Sequence, residues 1–234
     1  MPSRPRECLA RVTARRALAP EILEVDLGMA DPPVFHFDAG QWVSVPFGPK
    51  TVRAYSIAST PQWRSTITLC ADVAPGGIGS RWFRELRAGD EVRFKGPTGG
   101  FVYDRADRCQ PLFVAEEIGI VPIRSILAHL FETGFGRPAA LVYWARDTGW
   151  LAYDADFRAC ERRYPGFAYH PVVGEAADGW QGAHGDVVDV VRRVGLAGPL
   201  VAYVAGGGQT INRVREALMA RGLDRKAVKW EKFW

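Results

Sequence analysis

The chain has 234 residues, 47% of them hydrophobic, enough to bury one large core or two modest ones, and two small domains are the expected division. Its net charge of +4 is too mild to point to nucleic acid, and its eight Trp lie on no repeated basic motif. No apolar run approaches the roughly 20 residues that cross a bilayer, and the Pro- and Arg-rich start has no apolar signal core, so a soluble, cytoplasmic protein without membrane association is expected.

Short β-like runs come first, at residues 8–13, 22–27, 42–46, 54–58, 67–72 and 91–95, separated by Gly, Pro, Asp and Ser clusters. That spacing predicts an antiparallel barrel or sandwich, interrupted by one helix over 78–86. After the polar stretch 104–108 the pattern changes. Apolar strands at 112–115, 140–145, 167–172, 200–205 and 228–233 alternate with helices near 121–131, 155–163, 187–194 and 210–221. Continuous apolar strands between helices are what a parallel sheet buried on both faces requires. The second half therefore reads as an α/β domain with a parallel five-stranded sheet.

In Arg53-Ala54-Tyr55-Ser56-Ile57-Ala58-Ser59 a cation, an aromatic and a hydroxyl follow one another along a strand. Arg53 and Tyr55 then share one face and Ser56 turns to the other. A flavin mononucleotide unit needs such a set: a guanidinium for phosphate, a ring against the isoalloxazine, and a hydroxyl for its polar edge. Alone, this is an ordinary half-buried strand. The next segment, Pro75-Gly76-Gly77-Ile78-Gly79-Ser80, runs straight into the amphipathic Arg81-Trp82-Phe83-Arg84-Glu85-Leu86. Glycines before a helix expose backbone N–H groups at the positive end of its dipole, where a pyrophosphate binds, and Ser80 can add a hydroxyl. The weight lies in the pairing of the two motifs.

Taken in order, Gly40-Gln41-Trp42-Val43, Arg53-Ala54-Tyr55-Ser56, the glycine turn at 76–80 and Gly96-Pro97-Thr98-Gly99-Gly100-Phe101 resemble the ferredoxin–NADP reductase superfamily, and the likeness covers almost the whole chain. The resemblance implies an N-terminal antiparallel six-stranded β-barrel that binds FAD (residues 1–105) and a C-terminal NAD(P)-binding α/β domain (residues 106–234). It puts Arg53 near the flavin phosphates, with Ala54 beside it, Tyr55 against the ring and Ser56 at the N5/O4 edge. Gly76, Gly77, Ile78, Gly79 and Ser80 fall at the pyrophosphate. The final Glu231-Lys232-Phe233-Trp234 is similar to the Glu-x-Tyr-Trp end of bacterial members. By that likeness Phe233 shields the ring where nicotinamide enters, and Trp234 lies against the adenine, which favours FAD over FMN. The plainer alternative is a last strand closing the sheet with Phe233 in the core. Ser56, Tyr55 and Phe233 are the candidate catalytic residues.

On the nucleotide side, Ala115-Glu116-Glu117-Ile118-Gly119-Ile120-Val121-Pro122-Ile123-Arg124-Ser125 is similar to the family's Ala-Thr-Gly-Thr-Gly-Ile-Ala-Pro-x-Arg-Ser turn, which implies nucleotide contact at Gly119. Glu116 and Glu117 stand where the family has Thr-Gly, adding bulk and a negative field, so the nucleotide is expected to shift or bind weakly. Ala205-Gly206-Gly207-Gly208-Gln209 looks like the family's Cys-Gly-Pro-Pro turn with the cysteine replaced by Ala205, which removes a soft contact at the hydride-transfer site. Gly174-Glu175 stand where NADP users place Ser-Arg. A carboxylate accepts a ribose hydroxyl and repels a 2'-phosphate, so NADH is expected in preference to NADPH. Arg146 matches a family arginine near the adenosine, a surface arginine at a strand end being the alternative.

The expected activity is hydride transfer from NADH to flavin after Phe233 moves aside, then electron delivery to a separate ferredoxin, flavodoxin or oxygenase component by a monomer. Cys8, Cys70, Cys109 and Cys160 have no spacing that would hold an iron–sulfur cluster, and His36, His129, His170 and His184 none that would hold a metal. Two alternatives stay open: a free-flavin reductase, and a flavin-binding electron-transfer subunit whose nucleotide half has decayed.

Overall fold

The structure, a computed structural model, describes residues 4–195 and 198–234, which form twelve strands and five α-helices. Residues 1–3 of the expected first domain lie outside the described ones. The chain divides into two units. One runs to Tyr103 and takes in Arg124–Gly134; the other joins Asp104–Ile123 to Phe135–Trp234. Among the described residues no helix is long and apolar enough to cross a membrane.

In the first unit β1 (Arg6–Ala19), β2 (Ile22–Asp31), β3 (Trp42–Pro46), β4 (Val52–Ser56), β5 (Thr66–Asp72) and β6 (Glu91–Thr98) form an antiparallel sheet in the order β4-β3-β6-β1-β2-β5. A bridge between Ile57 and Leu69 ties the chain just past β4 to β5, so the two edges of that order meet and the sheet curls into a barrel. Side chains two apart share a strand face, which turns Ala10, Val12, Val25, Leu27, Val43, Val45, Ile67, Leu69, Val92 and Phe94 into one apolar cluster. Helix α1 (Ile78–Glu85) adds Phe83 to it. Strand β1 runs on to Ala19, well past the 8–13 expected. The stretch from Ala14 has little β propensity, but it pairs with β2 from Ala14↔Asp26 to Ala19↔Ile22, and register shifts bend the pair.

In the second unit the elements are β7 (Gln110–Glu116), α2 (Ile120–Glu132), β8 (Ala139–Asp147), α3 (Asp154–Arg163), β9 (Phe167–Glu175), β10 (Ala183–His184), α4 (Val187–Arg193), β11 (Leu200–Gly206), α5 (Gly208–Ala220) and β12 (Val228–Lys232). The strands form a parallel sheet in the order β10-β9-β8-β7-β11-β12. It has six strands, not the five expected. The extra one, β10, is a two-residue edge paired with Val172 and Val173, too short to show as an apolar run. Val114, Val142, Val172, Val188, Val204, Val214 and Leu218 belong to the apolar cluster of this unit. The strand order reverses between β7 and β11, which is where an open α/β sheet offers a ligand crevice at its carboxyl edge. The later turns of α2 group with the first unit: Arg124 Nη1 donates to the Ala58 carbonyl at 2.8 Å and Ser125 Oγ to that of Ser59 at 2.6 Å.

Candidate functional site

Strand β4 lies antiparallel to β3 with Val45 opposite Arg53, Val43 opposite Tyr55 and Trp42 opposite Ser56. Directly opposed residues share a face, so Arg53 and Tyr55 lie with the inward valines and Ser56 on the other side, as the alternation predicts. Tyr55 packs on Phe83 and Trp82, with ring centroids 5.0 and 5.7 Å away. Burial pushes its phenol up to about 12 while the neighbouring Arg53 pulls it down, so the hydroxyl stays protonated at neutral pH. Arg53 is exposed; its Nη1 donates to the Val52 carbonyl at 2.9 Å, and among the described residues no carboxylate pairs with it. Ala54 is exposed and Ser56 is buried.

The glycine turn comes to this strand. A Cβ on Gly79 would fall 2.3 Å from the Tyr55 hydroxyl and 3.6 Å from Arg53 Cγ, so only glycine lets α1 start against the two side chains. Gly76 and Gly77 are exposed, and a Cβ on Gly77 would meet nothing within 4 Å. Ile78 is exposed and Ser80 buried. The first helical hydrogen bond of α1 runs from the Arg81 N–H to the Gly77 carbonyl, and no acid stands in the first turn. These residues fit a flavin diphosphate. An arginine with no carboxylate partner among the described residues, open backbone and a helix N-terminus come together, with a neutral aromatic beside them.

At the end of β7, two consecutive glutamates reach in opposite directions. Glu116 Oε2 accepts from the Gly207 N–H at 2.7 Å and its Oε1 from the Thr210 hydroxyl at 2.6 Å, tying β7 to the start of α5. Glu117 is buried with φ at 49°, a left-handed conformation that costs a side-chain-bearing residue about 1–3 kcal/mol. Its Oε1 accepts from the backbone N–H and the Nε of Arg146, both at 3.0 Å, which fixes the side chain against β8. Arg146 in turn lies 3.8 Å above the Trp150 ring. Thr210 and Trp150 were not among the residues expected from the sequence. Neither carries a local motif; Thr210 gains its role from Glu116, 94 residues earlier, and Trp150 from Arg146 just before it.

The other expected nucleotide residues gather around the same strand ends. Gly119 packs on the backbone of Ala205 and Gly206. Gly174 sits against the Arg146 backbone and the Trp144 ring, and Glu175, exposed, pairs in register with Asp147. The turn from Gly206 to Gly208 is covered by the last residues: the Phe233 N–H donates to the Gly206 carbonyl at 3.0 Å, the Gly208 N–H to the Trp234 carbonyl at 3.2 Å, and a Cβ on Gly207 would lie 2.5 Å from Trp234 Nε1. Strand β12 does close the sheet beside β11, but Phe233 lies beyond it and is only half-buried.

With this geometry in view, the comparisons with known proteins are specific. Residues 10–103 match an oxidoreductase FAD-binding domain and residues 113–216 an oxidoreductase NAD-binding domain. The chain is 30% identical over 235 residues to ferredoxin–NADP reductase B of Sorangium cellulosum (strain So ce56), covering 96% of each. It is 28% identical to the phenol 2-monooxygenase reductase component DmpP of Pseudomonas sp. (strain CF600), covering 95% of this chain but 64% of that one. The crystal structure of the Amycolatopsis cytochrome P450 reductase GcoB superposes with a TM-score of 0.88 at 25% identity, covering 98% of this chain and 70% of the other. The two units are thus an FAD-binding and an NAD-binding domain.

Proposed function

This chain belongs to the ferredoxin–NADP reductase family, and from that premise we propose that it moves electrons from NADH, in preference to NADPH, through FAD to a separate oxygenase component or small redox protein. The observation that carries the reading is the meeting of Tyr55 with Gly79, which joins the flavin strand to the glycine turn within a domain matched as FAD-binding. The choice of acceptor draws support from the reductases of phenol 2-monooxygenase and of a cytochrome P450 among the similar proteins.

Bound FAD supplies the ring that accepts a hydride and releases electrons. The chain's own residues hold and orient. Arg53, Ser80 and the N–H groups opening α1 take the diphosphate, Tyr55 takes the ring, and Ser56 its polar edge. Gly206, Gly207 and Gly208 border the dinucleotide, and Glu175 accepts a ribose hydroxyl while repelling a 2'-phosphate, which is the ground for preferring NADH.

Under anaerobic conditions NADH is expected to bleach the flavin absorbance of the purified protein, with a higher catalytic efficiency than NADPH. A higher efficiency with NADPH overturns the donor preference. Glu116, already seated on the donors of α5, favours a second reading: a flavin-binding electron-transfer subunit whose other half no longer serves a nucleotide. Full FAD content with no bleaching by either donor would support that second reading and overturn the first.

A further inference from the structure

Helix α5 starts where the parallel sheet opens its crevice. Ala115 and Ala205 are in register on β7 and β11, and just beyond them come Glu116 and Gly206, at the point where the strand order reverses. The helix is 13 residues long, its N-cap Gly207 has no side chain to offer, and its first turn holds no acid. The Gly208 N–H is taken by the Trp234 carbonyl; the Gly207 N–H and the Thr210 hydroxyl remain at the positive end of the dipole, a position that suits a dinucleotide phosphate.

The chain supplies its own anion there. Glu116, 91 residues before Gly207, accepts from that residue's N–H and from the Thr210 hydroxyl. The turn is shaped to admit it: a Cβ on Gly206 would lie 2.7 Å from Glu116 Cβ and 2.9 Å from its Oε2, and one on Gly207 would lie 3.1 Å from the same oxygen. The space left by two glycines is filled by a carboxylate.

We propose that Glu116 is a positioning residue that keeps the nucleotide site self-occupied, so that a dinucleotide must displace its carboxylate to seat a phosphate on α5. The inference rests on the NAD-binding reading of the second unit and adds what sets affinity there. Carboxylate and phosphate compete for the same donors and repel each other. Residue 116 therefore governs the binding of phosphate-bearing ligands and leaves adenosine, which has no phosphate, unaffected.

Calorimetric titration of the FAD-loaded full chain with NAD+, ADP-ribose and adenosine tests this. Glu116→Gln keeps an acceptor for Gly207 and removes the charge; it is expected to bind NAD+ and ADP-ribose about tenfold more tightly, or about 1.4 kcal/mol, with adenosine unchanged. Glu116→Gly, which vacates the space, is expected to bind them at least as tightly as Glu116→Gln. Unchanged or weaker ADP-ribose binding by Glu116→Gln overturns the proposal, as does an equal gain for adenosine. If Glu116→Gln does not fold, Glu116→Gly decides on the same criteria; if neither folds, the residue is a structural tie and the proposal fails. Its premise fails separately: a wild type and variants that all bind neither NAD+ nor ADP-ribose would overturn the reading of a working nucleotide site.

Discussion

Tyr55 shows how much one side chain in this reductase depends on its setting. Packed on Phe83 and Trp82, its phenol holds its proton to about 12 against an ordinary value of 10. The folded state therefore binds this proton more tightly than the unfolded chain does. The stability it contributes is complete below pH 10 and is lost as pH rises towards about 12. Tyr55→Phe is expected to flatten the fall in urea midpoint across that window; an unchanged slope would show that the phenol is not shifted. The alternation of Arg53, Tyr55 and Ser56 was legible in the sequence because it is a period-two pattern within one strand. The contact with Gly79 was not, since it depends on where α1 docks.

At the scale of elements, α4 illustrates a helix held at its start. Asp186 is the N-cap: its Oδ1 accepts from the Val188 N–H at 2.9 Å, and its Oδ2 pairs with Arg213 of α5. Burial works to raise its carboxyl, but Arg213 and the Val188 N–H outweigh it and hold the group below its ordinary 3.8. The stabilisation is therefore present above about 3.8 and lost as pH falls through the depressed value. Asp186→Ala is expected to cost about 1–2 kcal/mol at neutral pH, read as a drop in urea midpoint, with the difference from wild type shrinking in acid. Every strand and helix expected from the sequence is present; β3 keeps its expected bounds and the others have shifted ends. Strand β4 starts at Val52 and stops at Ser56, where a run over 54–58 was expected, because Ile57 leaves the ladder with β3 to bridge Leu69.

For the whole molecule, the barrel and the parallel sheet each enclose an apolar cluster of their own. Each core gains from a ligand bound only by its own folded form. Scanning calorimetry is expected to resolve two transitions, one raised by FAD and the other by ADP-ribose; a single transition moved equally by both would show one cooperative core instead. The sequence by itself determined the two fold classes, through the spacing of apolar runs along each half, and the alternation in Arg53–Ser56, the glycine turn and the departure at Glu116 and Glu117, each written in residue types within a few positions of one another. Only the tertiary structure decided where those two carboxylates go. Glu117 reaches Arg146 through the register of β7 with β8, and Glu116 reaches Gly207 through that of β7 with β11. A side chain's partner 91 residues away is set by strand pairing, which no local pattern encodes.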